Sequence, residues 1–401
     1  MKIVYLFFSF TRLAGTERIL IDKMNYLAEQ LGHDVTVITY EQGSHPFVYP
    51  LSEKVHHVEL NTRFFTLYKY NLIRRAWLTY KMRKIFYSRF NQVVSEIKPD
   101  VVICTTYRDY EIKAVADCSK SAMRLVESHV SKDNMLLIGN ERIKHSLIQK
   151  LIAFFRKKKI FKDIARCDYL IALTESDAQA WSCLIESVVI PNMVTSYPEI
   201  HLPRKCSRRA ISVGRLAEGK GYDMLIDIWE EVNKVHDDWS LHIYGEGGEY
   251  EKLKHKINDK HLENSIFLEG ATNDVYSKYL ESDLYLMSSR YEGFGLVLVE
   301  AMSCGLPCIA FNCPCGPSDI IQEGRNGYVV PMFDKMKYVN CINILIEQEQ
   351  LRNEMSRCAR NSSLNYLPSV IMEKWEKFFH KAGKSESYSN KIHDIGETVL
   401  L

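Results

Sequence analysis

Residues 292–302 read Glu292-Gly293-Phe294-Gly295-Leu296-Val297-Leu298-Val299-Glu300-Ala301-Met302. Two carboxylates stand eight residues apart in this stretch, and a Gly-x-Gly turn leads from the first of them into an apolar run. We predict a helix that continues to about Ser303, because Gly305 and Pro307 then stop it. The free N–H groups and the positive dipole of its first turn would suit an anionic or polar ligand.

The two glutamates of this stretch are predicted to have separate roles. Glu292 precedes the helix and Glu300 lies about two turns into it, so up to roughly 12 Å of helix rise separates them. A carboxylate in a mostly apolar helix needs a polar partner, and the hydroxyls of a ribose would supply one. The alternative is that Glu300 is a solvated side chain on an amphipathic helix.

Two further motifs follow strand-like segments, which is where ligands bind in open α/β sheets. Residues 214–221 combine glycines with Arg215, whose guanidinium can fork onto phosphate oxygens, and with Lys220, which supplies a point charge. A turn with solvated basic residues is the alternative. Residues 244–248 read Tyr-Gly-Glu-Gly-Gly, and Gly245 would let the backbone approach a ligand closely. A plain strand-to-helix turn explains this second motif equally well.

The chain alternates strand-like and helix-like segments, and the series starts again after about residue 207. Strands are predicted in the first half at residues 3–8, 34–39, 101–104, 123–126, 169–173 and 188–190, and in the second half at 210–213, 240–244, 266–268, 284–287 and 307–310. This alternation indicates βαβ units with parallel sheets. We therefore predict two doubly wound α/β domains, residues 1–197 and 207–365, then a helix at 366–382 and a flexible tail at 383–401.

The composition limits the class of protein. A chain of 401 residues exceeds what one core usually serves, and a net charge of +2 argues against a surface built wholly for nucleic acid. The eleven cysteines are predicted to be reduced thiols. A zinc site at residues 304–315 is conceivable, but packed thiols explain this group better. No stretch approaches the about 20 apolar residues of a spanning helix, which predicts a soluble or peripheral protein.

Residues 61–95 interrupt the alternation with a basic and aromatic composition. They contain no Asp or Glu, eight Lys or Arg and nine aromatic residues. A second basic run, residues 156–159, follows Phe154 and Phe155. Basic charge interleaved with aromatic rings favours a membrane surface that carries anionic lipid, with contacts through residues 61–95 and 154–162. The alternatives are a packed helix with a solvated basic face and, less favoured by the composition, a nucleic-acid surface.

The set of motifs resembles glycosyltransferase family 4. The resemblance rests on the E-x7-E pattern from Glu292 to Glu300, on the order of the Gly-Arg-Leu, Tyr-Gly-Glu-Gly and Gly-Arg-Asn-Gly motifs, and on Gly15-Thr16-Glu17-Arg18. It implies a GT-B fold, in which two Rossmann-like domains face a cleft, and we expect the C-terminal helix to cross back to the first domain. It also implies transfer with retention of configuration, without a bound metal or a cofactor, and no Asp-x-Asp stands at a metal-binding loop.

The resemblance assigns roles to individual residues. It implies that Arg215 and Lys220 bind a diphosphate, that Glu300 binds the ribose, and that Glu292 with the amides after it holds the donor sugar. His129 matches the family's first-domain histidine that faces that sugar. The implied catalytic residues are Glu292, His129, Arg215 and Lys220, and the implied donor-binding residues are Gly15, Thr16, Arg215, Lys220, Gly245, Glu292, Gly293, Phe294, Gly295, Leu296 and Glu300.

Two departures from the family pattern refine the expected function. Thr16 replaces a glycine that the family often has in the first loop, and residues 316–319 read Gly-Pro-Ser-Asp, a form similar to members that build bacterial surface polysaccharides on a lipid carrier. The expected function is transfer of a hexose or N-acetylhexosamine from a nucleotide diphosphate sugar, first of all a UDP sugar, to a lipid-linked saccharide at the inner face of the cytoplasmic membrane. A nucleotide-sugar epimerase, a phosphorylase and a non-catalytic nucleotide-sugar-binding protein are the alternatives.

Overall fold

A computed structural model of the chain describes residues 1–12, 14–132, 134–135, 147–200 and 206–383. Two separate parallel sheets form the centre of the molecule, one in each half of the chain. Most of the flexible tail predicted at 383–401, and residues 201–205 between the two predicted domains, lie outside the described residues.

The first sheet has seven parallel strands in the order β3-β2-β1-β4-β5-β6-β7. Its central strands are apolar and buried on both faces, as strands covered by helices on each side must be. The strands are β1 Lys2–Leu6, β2 Asp34–Thr39, β3 Val55–Glu59, β4 Val101–Thr105, β5 Met123–Ser128, β6 Tyr169–Ala172 and β7 Ser187–Val189. The helices are α1 Gly15–Glu29, α2 Leu72–Ile97, α3 Asp109–Ala116, α4 Leu147–Ile164 and α5 Glu175–Trp181, with a 3-10 turn at Phe64–Lys69.

The second sheet has six parallel strands in the order β10-β9-β8-β11-β12-β13, the strand order of a Rossmann fold. The strands are β8 Arg209–Val213, β9 Ser240–Tyr244, β10 Ile266–Gly270, β11 Leu284–Met287, β12 Cys308–Phe311 and β13 Gly327–Val330. The helices are α6 Tyr222–Asn233, α7 Tyr250–Asp259, α8 Val275–Leu280, α9 Leu296–Ser303, α10 Pro317–Ile320, α11 Lys335–Glu347, α12 Glu349–Ser363 and α13 Pro368–Gly383, with 3-10 turns at Glu218–Lys220 and Leu364–Tyr366.

The strand order places a crevice at the same point of each sheet. The order reverses between β1 and β4 in the first sheet and between β8 and β11 in the second. Ligands of open α/β sheets bind in the crevice outside the carboxyl ends of the strands at such a reversal. Residues 214–221 follow β8 and residues 288–295 follow β11, so both charged motifs border the crevice of the second sheet.

The last helix, α13, returns to the first domain, as expected from the family resemblance. Its apolar side chains belong to the same buried cluster as β1 and α1, and the Phe378 ring lies edge-on to Tyr169 at 5.2 Å between centroids. Glu376 Oε1 is 2.6 Å from His33 Nε2 at the end of α1. The fold expectation of two α/β domains in a GT-B arrangement with a returning helix is therefore confirmed.

Two strands were not specified by the sequence patterns, whereas the packed helix given as an alternative for residues 61–95 is present as α2. Strand β3 carries two histidines and a glutamate and is exposed or half-buried along most of its length, so it lacks the apolar run of a central strand. Strand β13 has only four residues. Within residues 61–95 the chain forms α2, which begins after Asn71, whose side chain accepts a hydrogen bond from the Arg74 amide. None of the helices in the described part of the chain is long and apolar enough to cross a membrane.

Candidate active site

The loops after β8 and β11 are joined by hydrogen bonds and one ion pair. The Arg290 amide donates to the Gly219 carbonyl at 2.8 Å, and the Ser288 hydroxyl donates to the Lys220 carbonyl at 2.9 Å. Lys220 Nζ lies 2.6 Å from Glu292 Oε1, which also accepts from the Ser289 hydroxyl at 2.6 Å. The structure therefore brings Lys220 and Glu292 together, and it adds Ser289, which the sequence did not indicate as a partner of the carboxylate.

The loop that carries Arg215 packs backbone to backbone against the Tyr-Gly-Glu-Gly-Gly loop. The Leu216 amide donates to the Glu246 carbonyl at 2.8 Å. A Cβ atom on Gly245, where φ is +146°, would lie 2.0 Å from the Gly214 carbonyl oxygen. Gly245 thus has a structural reason to be glycine, since it lets the two loops meet. Arg215 itself is exposed at the edge of this loop pair.

Two helix N-termini converge where the two domains face each other. Helix α9 begins after Gly295, whose φ of +88° suits glycine, and Leu296 at its first position lies close to Gly15, the first residue of α1. Thr16 Oγ1, in the first turn of α1, is 2.7 Å from the Tyr107 hydroxyl oxygen. Gly15 and Thr16 therefore belong to a helix start and not to the loop expected from the sequence. Two positive helix ends facing one space favour an anionic ligand there.

The domains approach most closely at Gly293. A Cβ atom at this residue would lie 2.3 Å from the His129 carbonyl oxygen, so no larger residue fits while the two backbones are in this contact. Phe294 is buried, and its ring lies 5.8 Å from that of Tyr366. The Gly-Phe-Gly turn predicted to hold a sugar is thus fixed by the packing of Phe294 on Tyr366 and lies directly against the first domain.

Glu300 is buried and contacts both domains. The Tyr279 hydroxyl donates to Glu300 Oε2 at 3.4 Å, and Arg18 Nη1, on α1 of the first domain, lies 3.7 Å from Oε1. Burial raises the pKa of the Glu300 carboxyl to about 7, and the nearby Arg18 and Tyr279 oppose that rise. The structure therefore excludes the solvated alternative. Arg18 stands in the quoted Gly15–Arg18 segment, but nothing local to the sequence indicated its partner.

His129 is enclosed beneath the contact between the domains. Its side chain is 2% exposed, and its Nε2 atom is 3.0 Å from Glu127 Oε2. Glu127 also pairs with the buried Lys23 of α1 at 2.5 Å. Burial alone would raise the pKa of the Glu127 carboxyl, but Lys23 and His129 hold the pKa below its ordinary range. The sequence singled out His129 and missed Lys23, because the pattern around Lys23 is that of an ordinary lysine on an amphipathic helix.

The Gly-Pro-Ser-Asp segment contributes a contact between the domains. Asp319 of α10 accepts hydrogen bonds from the Ser176 amide at 3.2 Å and from the Ser176 hydroxyl at 2.8 Å, at the start of α5 in the first domain. The hydrogen bonds between Ser176 and Asp319 therefore join the two domains at the edge of the crevice, on the side of β12.

The residues singled out from the sequence form two neighbouring groups. Lys220 and Glu292 pair with each other, and the residues that follow Glu292 approach the first domain, Gly293 at His129 and Leu296 at Gly15. Glu300 lies deeper along α9 beside Arg18. Among the described residues, no cluster of three or more His, Cys, Asp or Glu side chains is placed to hold a metal ion. Independence from metal stays a prediction.

Comparison with known proteins gives the context of this site. Residues 194–362, which include Arg215, Lys220, Glu292 and Glu300, match the family model described as glycosyl transferases group 1. The chain is 28% identical over 387 residues to an uncharacterized glycosyltransferase of Haemophilus influenzae, covering 94% of this chain and 99% of that protein. It is 29% identical over 384 residues to the amylovoran biosynthesis glycosyltransferase AmsD of Erwinia amylovora, covering 93% and 98%.

The fold is shared with solved glycosyltransferases. A crystal structure of a Staphylococcus aureus TarM mutant in complex with fondaparinux, alpha-GlcNAc-glycerol and UDP matches with a TM-score of 0.73. The match covers 94% of this chain and 99% of that chain at 16% sequence identity, so this likeness concerns the fold alone. The strand order and these structural matches show the GT-B fold, and the match to the group 1 glycosyltransferase model covers the part of the chain that carries the charged loops.

Proposed function

We propose that this chain is a retaining, metal-independent glycosyltransferase of family 4. It would move a hexose or N-acetylhexosamine from a nucleotide diphosphate sugar, with UDP as the first nucleotide to test, to a lipid-linked saccharide. The proposed place is the inner face of the cytoplasmic membrane, in the synthesis of a surface polysaccharide or lipopolysaccharide. AmsD, to which the chain is similar along nearly all of its length, is named for amylovoran biosynthesis.

The observation that carries the proposal is the grouping of basic side chains and helix N-termini around the crevice of the second sheet. Lys220, the exposed Arg215 and the start of α9 border this crevice, and the start of α1 lies against the start of α9. The part of the chain that the structure describes has no group of three or more His, Cys, Asp or Glu placed to hold a cation. A diphosphate needs its charge balanced as the glycosidic bond breaks, and fixed cations with helix dipoles supply that balance without a metal. Such an arrangement favours a nucleotide diphosphate sugar over a neutral ligand.

The Lys220–Glu292 ion pair is consistent with a donor site in its ligand-free state. The Lys220 side chain is 28% exposed and the Glu292 side chain is 12% exposed, and both face the crevice. A bound diphosphate would attract Lys220, and Glu292 would then be free to accept hydrogen bonds from hydroxyls of the sugar. The pair keeps both charges neutralised until the donor arrives.

The proposed reaction proceeds on one face of the donor sugar. The bond between the anomeric carbon and the phosphate oxygen breaks with its electron pair going to the leaving diphosphate, and the acceptor hydroxyl forms the new bond from the same side. The hydroxyl proton passes to the departing phosphate. Arg215, Lys220 and the start of α9 stabilise the growing charge on that phosphate, which is the step where fixed electrostatics contribute most.

The acceptor side is proposed to be a membrane surface on the first domain. Arg83 of α2 pairs with Asp109 at 3.0 Å, and Arg156 of α4 lies 3.7 Å from the same carboxylate, so the two basic segments form one continuous surface. Lys81 Nζ stands 3.7 Å above the Trp77 ring. The large apolar side chains exposed on this surface are Phe65, Tyr68, Ile73, Trp77, Tyr80, Ile85, Leu151, Phe154 and Phe155. Exposed rings among lysines and arginines suit an anionic lipid headgroup layer.

A donor screen tests the proposal. Purified chain is incubated with a panel of nucleotide sugars and a bacterial membrane extract, with and without a chelator, and lipid-linked products are detected by mass. Arg215→Ala and Glu292→Gln should each lower transfer by about 100-fold or more while the fold persists. Arg208→Ala is the matched control, because Arg208 is an exposed arginine of the same domain that pairs with Asp238 away from the crevice.

Four results of this screen would contradict the proposal. Near-normal turnover of either crevice variant would remove the assigned roles, and loss of transfer on chelation would remove metal independence. A new sugar nucleotide formed without acceptor would identify an epimerase. Donor binding without transfer to any lipid-linked acceptor would identify a non-catalytic binding protein.

A further inference from the structure

Three ionisable side chains are buried together beneath the contact between the domains. Lys23 of α1, Glu127 at the end of β5 and His129 just after it are 5%, 2% and 2% exposed. Both carboxylate oxygens of Glu127 lie 2.5 Å from Lys23 Nζ, and Oε2 is also 3.0 Å from His129 Nε2. The carboxylate thus bridges a lysine and a histidine whose side chains are both almost fully buried.

The bridge determines which ring nitrogen of His129 carries the hydrogen. Glu127 is ionised, because Lys23 Nζ lies 2.5 Å from both of its oxygens and opposes the rise in the carboxyl pKa that burial alone would cause. An ionised carboxylate only accepts hydrogen bonds, so the hydrogen between Glu127 and His129 belongs to Nε2. In a neutral imidazole the other nitrogen, Nδ1, then has a free lone pair.

Lys23 determines the charge of the group. A carboxylate with the histidine as its sole partner would attract a second proton onto the ring, because an isolated buried negative charge is unfavourable. The lysine already balances that charge, so His129 has no electrostatic need to become an imidazolium. With Lys23 present, the cluster is neutral as a pair of opposite charges and an uncharged ring.

We propose that Lys23 and Glu127 are positioning residues that hold His129 as a neutral ring, with Nε2–H bound to Glu127 and Nδ1 kept as a hydrogen-bond acceptor. The ligand of Nδ1 would be a hydroxyl group, which donates a hydrogen bond to a lone pair. Naming that hydroxyl as part of a sugar rests on the proposed function. The state of the ring itself does not, because it follows from contacts within the chain.

The surroundings favour this neutral state and link it to the returning helix. The Trp375 ring of α13 lies 4.6 Å from Lys23 Nζ, and the Tyr107 ring stacks on His129 at 6.4 Å and 12° between planes. Among the described residues, the titratable groups close to the cluster include Tyr5 of β1, Cys104 of β4 and Tyr107 after β4. Burial raises the pKa of each of these three, so they remain uncharged near neutral pH. Helix α13 therefore covers the lysine that sets the charge of the histidine.

The ring nitrogens can be observed directly without any substrate. The full chain is labelled with nitrogen-15 histidine, and two-bond nitrogen–proton spectra are recorded across neutral pH, with His129→Asn identifying the His129 signals. In the wild-type protein we expect a protonated Nε2 and an unprotonated Nδ1. A protonated Nδ1, whether in the other neutral tautomer or in an imidazolium, would overturn the proposal.

The lysine is tested by the same spectra. In Lys23→Met we expect Nδ1 to shift to its protonated position near neutral pH, whereas Lys23→Arg should keep the wild-type pattern. Lys335→Met is the matched control, because Lys335 is an exposed lysine that pairs with Asp227 on the second domain. A folded Lys23→Met with an unchanged ring would overturn the role of Lys23. If Lys23→Met does not fold, the tautomer of His129 in the wild-type protein still tests the proposal. These spectra need no substrate, so they remain interpretable even if the donor screen fails.

Discussion

Nucleotide affinity should fall as the pH decreases through about 7, because Glu300 is the carboxylate proposed to bind the ribose. Burial raises the pKa of Glu300 to about 7 in the chain without ligand. The ionised carboxylate accepts hydrogen bonds from two ribose hydroxyls, and we expect only this form to bind the ribose, because the protonated form carries a donor in place of one acceptor. One pH unit below the pKa, about a tenth of the molecules are ionised, which corresponds to about 1.4 kcal/mol or a tenfold weaker affinity.

The measurement is a calorimetric titration of UDP, or of the nucleotide that the donor screen identifies, from about pH 8 down to about pH 5.5. The terminal phosphate of the nucleotide also titrates, with a pKa of about 6 by analogy with phosphate esters. Glu300→Gln keeps the shape of the side chain but cannot ionise. The ratio of the wild-type affinity to the Glu300→Gln affinity therefore cancels the contribution of the nucleotide.

We expect the ratio of wild-type to Glu300→Gln affinity to be constant above about pH 7.5 and to fall about tenfold per pH unit below about pH 7. Arg18→Met should move the break to higher pH, since the Arg18 guanidinium opposes the rise in the pKa of Glu300. Arg208→Met, which removes an exposed arginine that pairs with Asp238, should leave the break in place. A ratio that does not change with pH would refute the assignment of Glu300 to the ribose.

Stability and affinity should change in opposite directions, which separates this effect from acid unfolding. The pKa of Glu300 is above its ordinary value in the folded chain, so the folded state binds more protons than the unfolded state between about pH 4.5 and 7. The contribution of Glu300 to stability is therefore greatest at the acid end of this window and is lost as the pH rises through it. Wild-type minus Glu300→Gln melting temperatures should increase on acidification while the affinity ratio decreases.

Two further outcomes follow from the contacts of the crevice and of the basic surface. Gly293→Ala should lower transfer by about 100-fold with little change in melting temperature, because its Cβ would lie 2.3 Å from the His129 carbonyl oxygen and hold the domains apart; normal turnover would show that this contact is not needed. Replacing both Lys81 and Lys84 by Gln should weaken flotation with anionic vesicles by roughly 30-fold, at about 1 kcal/mol per charge. The same exchange at Lys234 and Lys252, exposed on the second domain, should have no effect, and equal binding of both double variants would refute a specific lipid surface.

The sequence predicted the second domain well because its information is local. Glycines and charges follow β8, β9 and β11 directly, so the residue order alone places these groups at one edge of the sheet. The helix at residues 296–303 was expected from its apolar run and its glycine boundaries, and the structure has α9 at Leu296–Ser303. Strand β3 was missed because its pattern of His, His and Glu reads as polar, although it pairs along its whole length with β2.

The first domain was harder to predict because its important contacts are formed by packing. Arg18 was visible in the sequence, but only the closure of the two domains brings it to Glu300. Lys23 reads as a solvated helix residue until α13 returns to cover it with Trp375. A buried charge therefore marks a site only once its partner is known, and that partner can come from any distance along the chain.

The contacts that close the crevice are suited to opening and closing. The chain crosses between the domains twice at neighbouring points, and the Val194 amide donates to the Tyr366 carbonyl at 2.8 Å where the crossings meet. On the crevice side, the polar contacts described between the domains include Arg18 with Glu300 and Ser176 with Asp319. Arg18 Nη1 lies 3.7 Å from Glu300 Oε1, which is longer than a hydrogen bond, so this contact between the domains is a weak one.

A donor would exchange one of these closing contacts for another. The ribose hydroxyls proposed for Glu300 would take the place of Arg18, which can then pair with Asp22, 3.9 Å away on its own helix. The diphosphate would at the same time bring together the N-termini of α9 and α1, one from each domain. Binding therefore removes a weak contact between the domains and adds a stronger one through the ligand. Closure of the crevice, with the Gly293 and His129 backbones in contact, is then favoured by the presence of the donor itself.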